Sequence, residues 1–248
     1  MTMASSLPQR LYLMQVASLL VPPAAIPIPC YLVQTGDGKH ILIDTGIPQD
    51  MVFPPGSPDI EHGRNVLQQL ELIGLRPDDI DMLICTHFDF DHTGYHSSFP
   101  NAEMVVQRRQ YEAARSRIPQ YDMNRFHWAH PDVRYRLIDG DTELLPGLKL
   151  IETSGHTIGH QSVSIRSPKT GWVLLTIDAV LRQSSFTPHR EEDPADEDPA
   201  KALASTIKLI DLAEKEPVGL VIYGHDGEQW PRLKKAAGLL RLKRNDGL

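Results

Sequence analysis

At 248 residues the chain is long enough to bury a sizeable core, as one large α/β unit or two small ones. Hydrophobic residues make up 41% and charged residues 23%, an ordinary balance for a soluble globular protein. The formal net charge of −7 argues against a nucleic-acid surface, and no apolar run approaches a transmembrane span. Two cysteines, Cys30 and Cys85, are too few for a disulfide framework; both sit in apolar runs and read as buried thiols in a reducing cytoplasm.

At the N-terminus, Arg10 followed by LYLMQVASLLV has the charge and apolar run of a signal peptide. Gln15 interrupts that run, PPAAIPIP follows where a small-residue cleavage site would stand, and Leu11 and Leu13 alternate as in a strand. The expectation is a cytoplasmic chain forming one domain over residues 1–248. CYLVQT is then a strand, GDGK (Gly36 to Lys39) a tight turn, and HILIDTG a second strand. Asp44 ends that strand; it is a potential ligand, but a strand-end Asp more often bonds nearby backbone amides, and the structural role is favoured.

Residues 50–62 are rich in Pro and Gly and read as a loop at the edge of a site. Asn65 to Gly74 has helical spacing and stops at a glycine, Asp81 to Thr86 is a buried strand, AEMVVQ another strand, and Arg108 to Arg117 a charged helix. The aromatic-rich, weakly periodic segment 118–136 either caps the core or lines a pocket. In the pocket reading Phe126 and Trp128 contact substrate, while His127 and His130 face solvent.

From Gly147 strands follow one another: GLKLIET, HQSVSIRS and GWVLLTIDAV, a pattern that suits a second, antiparallel-rich sheet. Residues 187–199, TPHREEDPADEDP, read as an exposed acidic loop with no chemistry. Ala202 to Ala213 is an amphipathic helix, VGLVIYGHD a buried strand, and Pro231 to Arg244 a basic amphipathic helix.

Chemistry concentrates where these strands end. DMLICTHFDFDHTGYH (residues 81–96) carries His87, Asp89, Asp91 and His92 directly after an apolar strand. The crevice beyond the carboxyl ends of strands is the usual ligand site of α/β sheets, and imidazole with carboxylate suits zinc, iron or manganese. His156, Asp178 and His225 repeat the logic, each following an apolar strand.

This ordered set resembles the metallo-β-lactamase superfamily, whose first loop reads H-x-H-x-D-H and is followed by a single His, a bridging Asp and a last His. Within it the chain looks most like the N-acyl-homoserine lactonase branch, on PCYLVQTGDGKHILIDTG, GHTIGHQS around His156 and GHDGEQW around His225. The resemblance implies an α/β fold, a four-layer αββα sandwich, with two divalent metal ions between the sheets, zinc first and manganese or iron as alternatives. It places His87, Asp89 and His156 on one metal, Asp91, His92 and His225 on the other, and Asp178 on both.

The implied activity is opening of a small-molecule lactone by a metal-bridging hydroxide, with Asp91 as the proton carrier, in a monomer or homodimer with no nucleic-acid or membrane partner. A thioesterase or phosphoester hydrolase on the same scaffold, or a non-catalytic binding or regulatory protein, are the alternatives. Two departures stand out. Asp89 replaces the family's second motif histidine, and Leu181 stands where the lactonase branch has a tyrosine.

Overall fold

The computed structural model describes residues 6–22, 24–53, 55–116, 119–168 and 170–233. Two sheets face each other. In the first, seven strands run in the order β4-β1-β2-β3-β5-β6-β7, formed by β1 (Pro8–Val21), β2 (Ala24–Thr35), β3 (His40–Ile43), β4 (Asp59–His62), β5 (Met82–Ile84), β6 (Glu103–Gln107) and β7 (Arg134–Ile138). The second has the order β12-β11-β10-β9-β8, from β8 (Thr142–Leu145), β9 (Leu148–Glu152), β10 (Gln161–Ser167), β11 (Gly171–Ile177) and β12 (Val218–Tyr223). Its pairs are antiparallel except β11 with β12, which is parallel.

The alternation of side chains explains the layers, because successive residues of a strand point to opposite faces. Leu11, Leu13, Tyr31, Val33, Ile41 and Ile43 of the first sheet meet Leu148, Leu150, Val163, Val173 and Leu175 of the second in one apolar cluster. Their neighbours Tyr12, Met14, Cys30, Leu32 and Leu42 turn the other way and pack with Val66 and Leu70 of α1 (Val66–Glu71), Ala114 of α2 (Arg108–Arg115), Tyr121 of α3 (Pro119–Asp122) and Trp128 of α4 (Arg125–Trp128). On the far side Ile151, Leu174 and Tyr223 pack against Leu209 of α5 (Pro199–Lys215). The result is the αββα sandwich. Burial on both faces makes these strands continuous apolar runs.

Local chemistry sets the helix ends. Asn65 and Gln68 form a capping box at the start of α1, and the Asp198 carboxylate accepts from Lys201 N at the start of α5, with Pro199 at the first helical position. The Pro/Gly-rich stretch 50–62 is not all loop. Asp59–His62 forms β4, pairing with Ala17–Leu20, and its charged, exposed residues are those of an edge strand, which carries no apolar alternation to read. Of the basic helix expected over Pro231–Arg244, Trp230–Arg232 is a 3-10 turn and everything beyond Leu233 lies outside the described residues. Both cysteines are free and buried.

Candidate metal centre

β3, β5, β9, β11 and β12 present their carboxyl ends along one rim, and the chemistry-bearing residues follow them: Asp44 after β3, His87 to His92 after β5, His156 after β9, Asp178 after β11 and His225 after β12. Two backbone features tighten this rim. Ile177 has φ +51°, a strained conformation for a β-branched residue, immediately before Asp178. Gly224 lies so close to β11 that a Cβ there would come within 2.4 Å of the Ile177 carbonyl, so glycine alone lets His225 sit beside Asp178.

Seven side chains converge as two triplets joined through Asp178. In the first, Asp89 Oδ2 is 3.7 Å from His87 Nε2 and 3.2 Å from His156 Nε2. In the second, Asp91 Oδ2 is 3.7 Å from His92 Nε2 and 3.5 Å from His225 Nε2. Asp178 Oδ2 reaches His87 (3.8 Å), His156 (3.5 Å) and His225 (3.1 Å), while its Oδ1 is 3.6 Å from His92. Within each of the triplets His87–Asp89–His156, Asp91–His92–His225 and His87–His92–Asp178 the ligand atoms all lie within 4.8 Å of one another, the convergence a cation needs.

Hydrogen bonds behind the rings fix which ring nitrogen faces the centre. His92 Nδ1 donates to Asp44 Oδ2 at 2.9 Å, and His225 Nδ1 donates to the Pro27 carbonyl at 2.8 Å. Thr86 Oγ1 donates to Asp44 Oδ2, so it accepts from His87 Nδ1 at 3.0 Å. Each of these three rings, when neutral, therefore turns an Nε2 lone pair toward the centre, as metal-binding histidines do. His87 Nε2, His92 Nε2 and Asp178 Oδ1 are buried with no hydrogen-bond partner. Buried polar atoms without partners are costly, and a pair of divalent cations would satisfy all three at once. The donor set fits the group.

Electrostatics agree. Burial opposes charge on His92, but Asp91, Asp178 and Asp44 outweigh it and hold its pKa well above the ordinary imidazole value. His225 is likewise buried, yet Asp178 and Asp91 push it up to about 9, and His156 is raised against burial by Asp89 and Asp178. Asp178 is buried but held well below the carboxylate range, chiefly by His225 and His92. Asp91 moves upward because burial exceeds the pull of His92 and His225. His87 goes the other way: burial, with His92 beside it, holds its pKa well below the ordinary imidazole value. Behind them His160, pushed down to about 3 by burial and by His156, accepts from Asp178 N at 3.2 Å while its Nδ1 meets Thr153 Oγ1.

All seven expected ligands meet here, and Asp44 has the structural role expected of it. The expected substrate residues do not join them. Trp128 is 0% exposed; it packs on Phe88 at 4.9 Å and donates to the Tyr121 carbonyl, so its ring is core. Phe126 is 76% exposed and touches His127 and His130. Weak periodicity hid the short helices that bury Trp128 and turn Phe126 outward. A different aromatic pair stands beside the ligands: Phe90, between Asp89 and Asp91, meets Phe53 edge-on at 5.5 Å. Gln120, which donates to Asp89 Oδ1 at 2.8 Å, was also missed; nothing local in the sequence pairs positions 31 residues apart. The acidic stretch 187–199 has no fully buried residue, as expected of an exposed loop, but the side chains of Arg190 and Asp196 turn inward and form a buried ion pair at 2.6 Å. Repetition of charge masked two residues that fold inward.

Two facing mixed sheets, helices outside and histidine–carboxylate loops on one rim define a superfamily of known proteins. The Metallo-beta-lactamase superfamily model matches residues 24–225, and the chain belongs to that family. Among curated proteins it is 37% identical to the N-acyl homoserine lactonase of Bacillus thuringiensis, covering 82% of this chain and 83% of that one. It is 30% identical to the N-acyl homoserine lactonase AttM of Azorhizobium caulinodans, over 86% and 87% of the two chains. Among solved structures, an N-acyl homoserine lactone hydrolase with the product N-hexanoyl-L-homoserine at its catalytic metal center superposes with a TM-score of 0.79 at 31% identity, covering 92% of this chain and 97% of that chain. No helix among the described residues is long and apolar enough to cross a membrane.

Proposed function

We propose that the protein is a metal-dependent hydrolase that opens the ester bond of a lactone, an N-acyl-homoserine lactone or a similar cyclic ester. The observation that carries this reading is the pair of ligand triplets joined through Asp178, with buried His87 Nε2, His92 Nε2 and Asp178 Oδ1 lacking a hydrogen-bond partner. His87, Asp89 and His156 would hold one divalent cation, Asp91, His92 and His225 the other, and Asp178 both. Zinc fits this donor set first, and Asp89 brings in manganese and iron. Bound there, the cations supply Lewis acidity toward the ester carbonyl and a hydroxide at neutral pH.

The chain's own residues do the rest. Asp178, anchored through its amide by His160, sets the spacing of the two halves. Asp91 Oδ2 lies 3.7 Å from His92 Nε2 and 3.5 Å from His225 Nε2, at the mouth of the ligand cluster, and is the carboxylate we assign to accept a proton and return it. As the acyl C–O bond breaks, that proton goes to the departing alkoxide oxygen, and the product is the open hydroxy acid. Phe53 and Phe90 offer an apolar wall for an acyl chain. This replaces the assignment of substrate contact to Phe126 and Trp128.

Leu181 favours a second reading of the same site. No phenol stands at that position; Tyr223 packs with Phe186 under α5, and the Tyr121 hydroxyl is engaged by Glu197. Without a tyrosine there the site suits other esters, thioesters or phosphoesters equally, since fold does not fix substrate. Assay of the metal-loaded protein on a panel of lactones, thioesters and phosphoesters tests both readings. Selective turnover of lactones supports the first, selective turnover elsewhere the second, and none at all makes the protein a binding or regulatory one.

A further inference from the structure

Three of the four candidate histidine ligands have an Nδ1 hydrogen bond: His87 with Thr86, His92 with Asp44, and His225 with Pro27. His156 is the exception, since its Nδ1 is buried and has no hydrogen-bond partner. The carboxylate that faces it comes from the acidic loop, with Asp196 Oδ1 at 4.0 Å. The other oxygen of Asp196 is gripped by Arg190 at 2.6 Å, and both side chains are almost wholly buried.

The surrounding contacts hold this carboxylate against His156. Arg190 is itself tied to the Ala179 carbonyl, one residue past Asp178, and to Thr206 Oγ1 of α5. The backbone of the loop clips onto the histidine's own segment, with Glu197 N donating to the His156 carbonyl and Asp198 N to the Gly155 carbonyl. The Glu197 carboxylate accepts from Ile158 N and from the Tyr121 hydroxyl. Gly155 lets these parts close, because a Cβ there would lie 2.2 Å from Ala202 N.

We propose that Asp196, held by Arg190, is the positioning residue for His156: its carboxylate accepts a hydrogen bond from Nδ1–H once Nε2 is committed to a cation. A carboxylate behind a ligating imidazole fixes its tautomer and orientation and raises its basicity. Asp89 gives this reinforcement its purpose. A short carboxylate in place of a longer imidazole leaves the first metal position more dependent on its two histidines, and the Arg190–Asp196 pair strengthens one of them. Because Arg190 neutralises Asp196, it does so without adding net negative charge to a centre already rich in carboxylates. The proposal rests on the two-metal reading of the site but not on any substrate.

The test reads metal binding. The dissociation constants of both metal sites are measured by chelator competition in the parent, Asp196→Ala and Asp196→Asn, with cobalt absorption spectra and the melting temperature of each metal-free protein. In Asp196→Ala we expect affinity at the first site to fall about 10- to 100-fold, with an altered cobalt spectrum and the second site unchanged. Asp196→Asn keeps an acceptor oxygen and should fall between. Parent-like affinity at both sites in Asp196→Ala would overturn the proposal, as would equal loss at both sites together with a lower melting temperature. Should the variants fail to fold, NMR of the unmodified zinc-loaded protein decides: a slowly exchanging, low-field His156 Nδ1 proton supports the proposal, and a fast-exchanging one overturns it. A parent that binds no metal at all would overturn the two-metal reading itself, and this proposal with it.

Discussion

Replacing Asp89 by histidine exchanges an anionic oxygen for a neutral nitrogen at the first metal position and leaves the other six candidate ligands in place. With Asp89, Asp91 and Asp178 ionised, two divalent cations and one hydroxide form a neutral cluster; imidazole at 89 gives it a net positive charge. A unit charge about 4 Å away in a partly screened site is worth about 4 kcal/mol, or about three pK units on the group that must lose its proton. Asp89 opens partly to solvent and shares its charge with Gln120, so a shift of roughly one unit is the expected share. The sign is definite: removing negative charge makes deprotonation easier, so the acidic limb of the pH–rate profile moves to lower pH. Nitrogen in place of oxygen should also tighten zinc relative to manganese. The assay is the pH–rate profile of metal-loaded parent and variant, with zinc–manganese competition on both. If profile and metal preference both match the parent, Asp89 is not a ligand and the centre has six.

Asp178→Ala should be the costliest single ligand loss, because among the described residues Asp178 is the candidate ligand whose carboxylate reaches the histidines of both triplets; metal content should fall from about two ions to one or fewer, and retention of two with full activity would refute the bridge. Metal uptake at pH 7 should release protons, since Asp178 and Asp91 push His225 up to about 9; calorimetry in buffers of different ionisation enthalpy measures the number released. In the metal-free protein the same raised pKa means that the His225–Asp178 pair stabilises fully below about pH 6.5 and is lost as pH rises through about 9, which thermal melts across that window should register. Trp128→Ala should lower stability by about 3–5 kcal/mol and Phe126→Ala by less than about 0.5, while Phe90→Ala should raise KM for long acyl chains more than for short ones; an equal rise for both lengths would remove Phe90 from the acyl wall.

The strands and the candidate ligands were legible because both are written locally. Apolar runs such as Leu83 to Cys85 need no partner to be recognised, and ligand types follow them within a few residues. What escaped depends on contacts between distant segments. Gln120 finds Asp89, His160 finds the Asp178 amide, and Asp196 faces His156 only after the sheets have packed. β4 was missed because an edge strand of exposed charges carries no period, and Trp128 because a single turn of helix is too short to show one. The acidic loop misled for a different reason. Composition suggested solvent, while two of its residues neutralise each other in the interior.

Hydrolysis of an N-acyl-homoserine lactone in oxygen-18 water, followed by mass spectrometry with and without bound metal, reaches the central claim most directly. We expect a ring-opened hydroxy acid carrying one labelled oxygen in its carboxylate, formed only by protein that holds close to two divalent ions per chain, as two ligand triplets require. Ring opening that persists after complete metal removal, or no turnover of any lactone by protein fully loaded with metal, would contradict it.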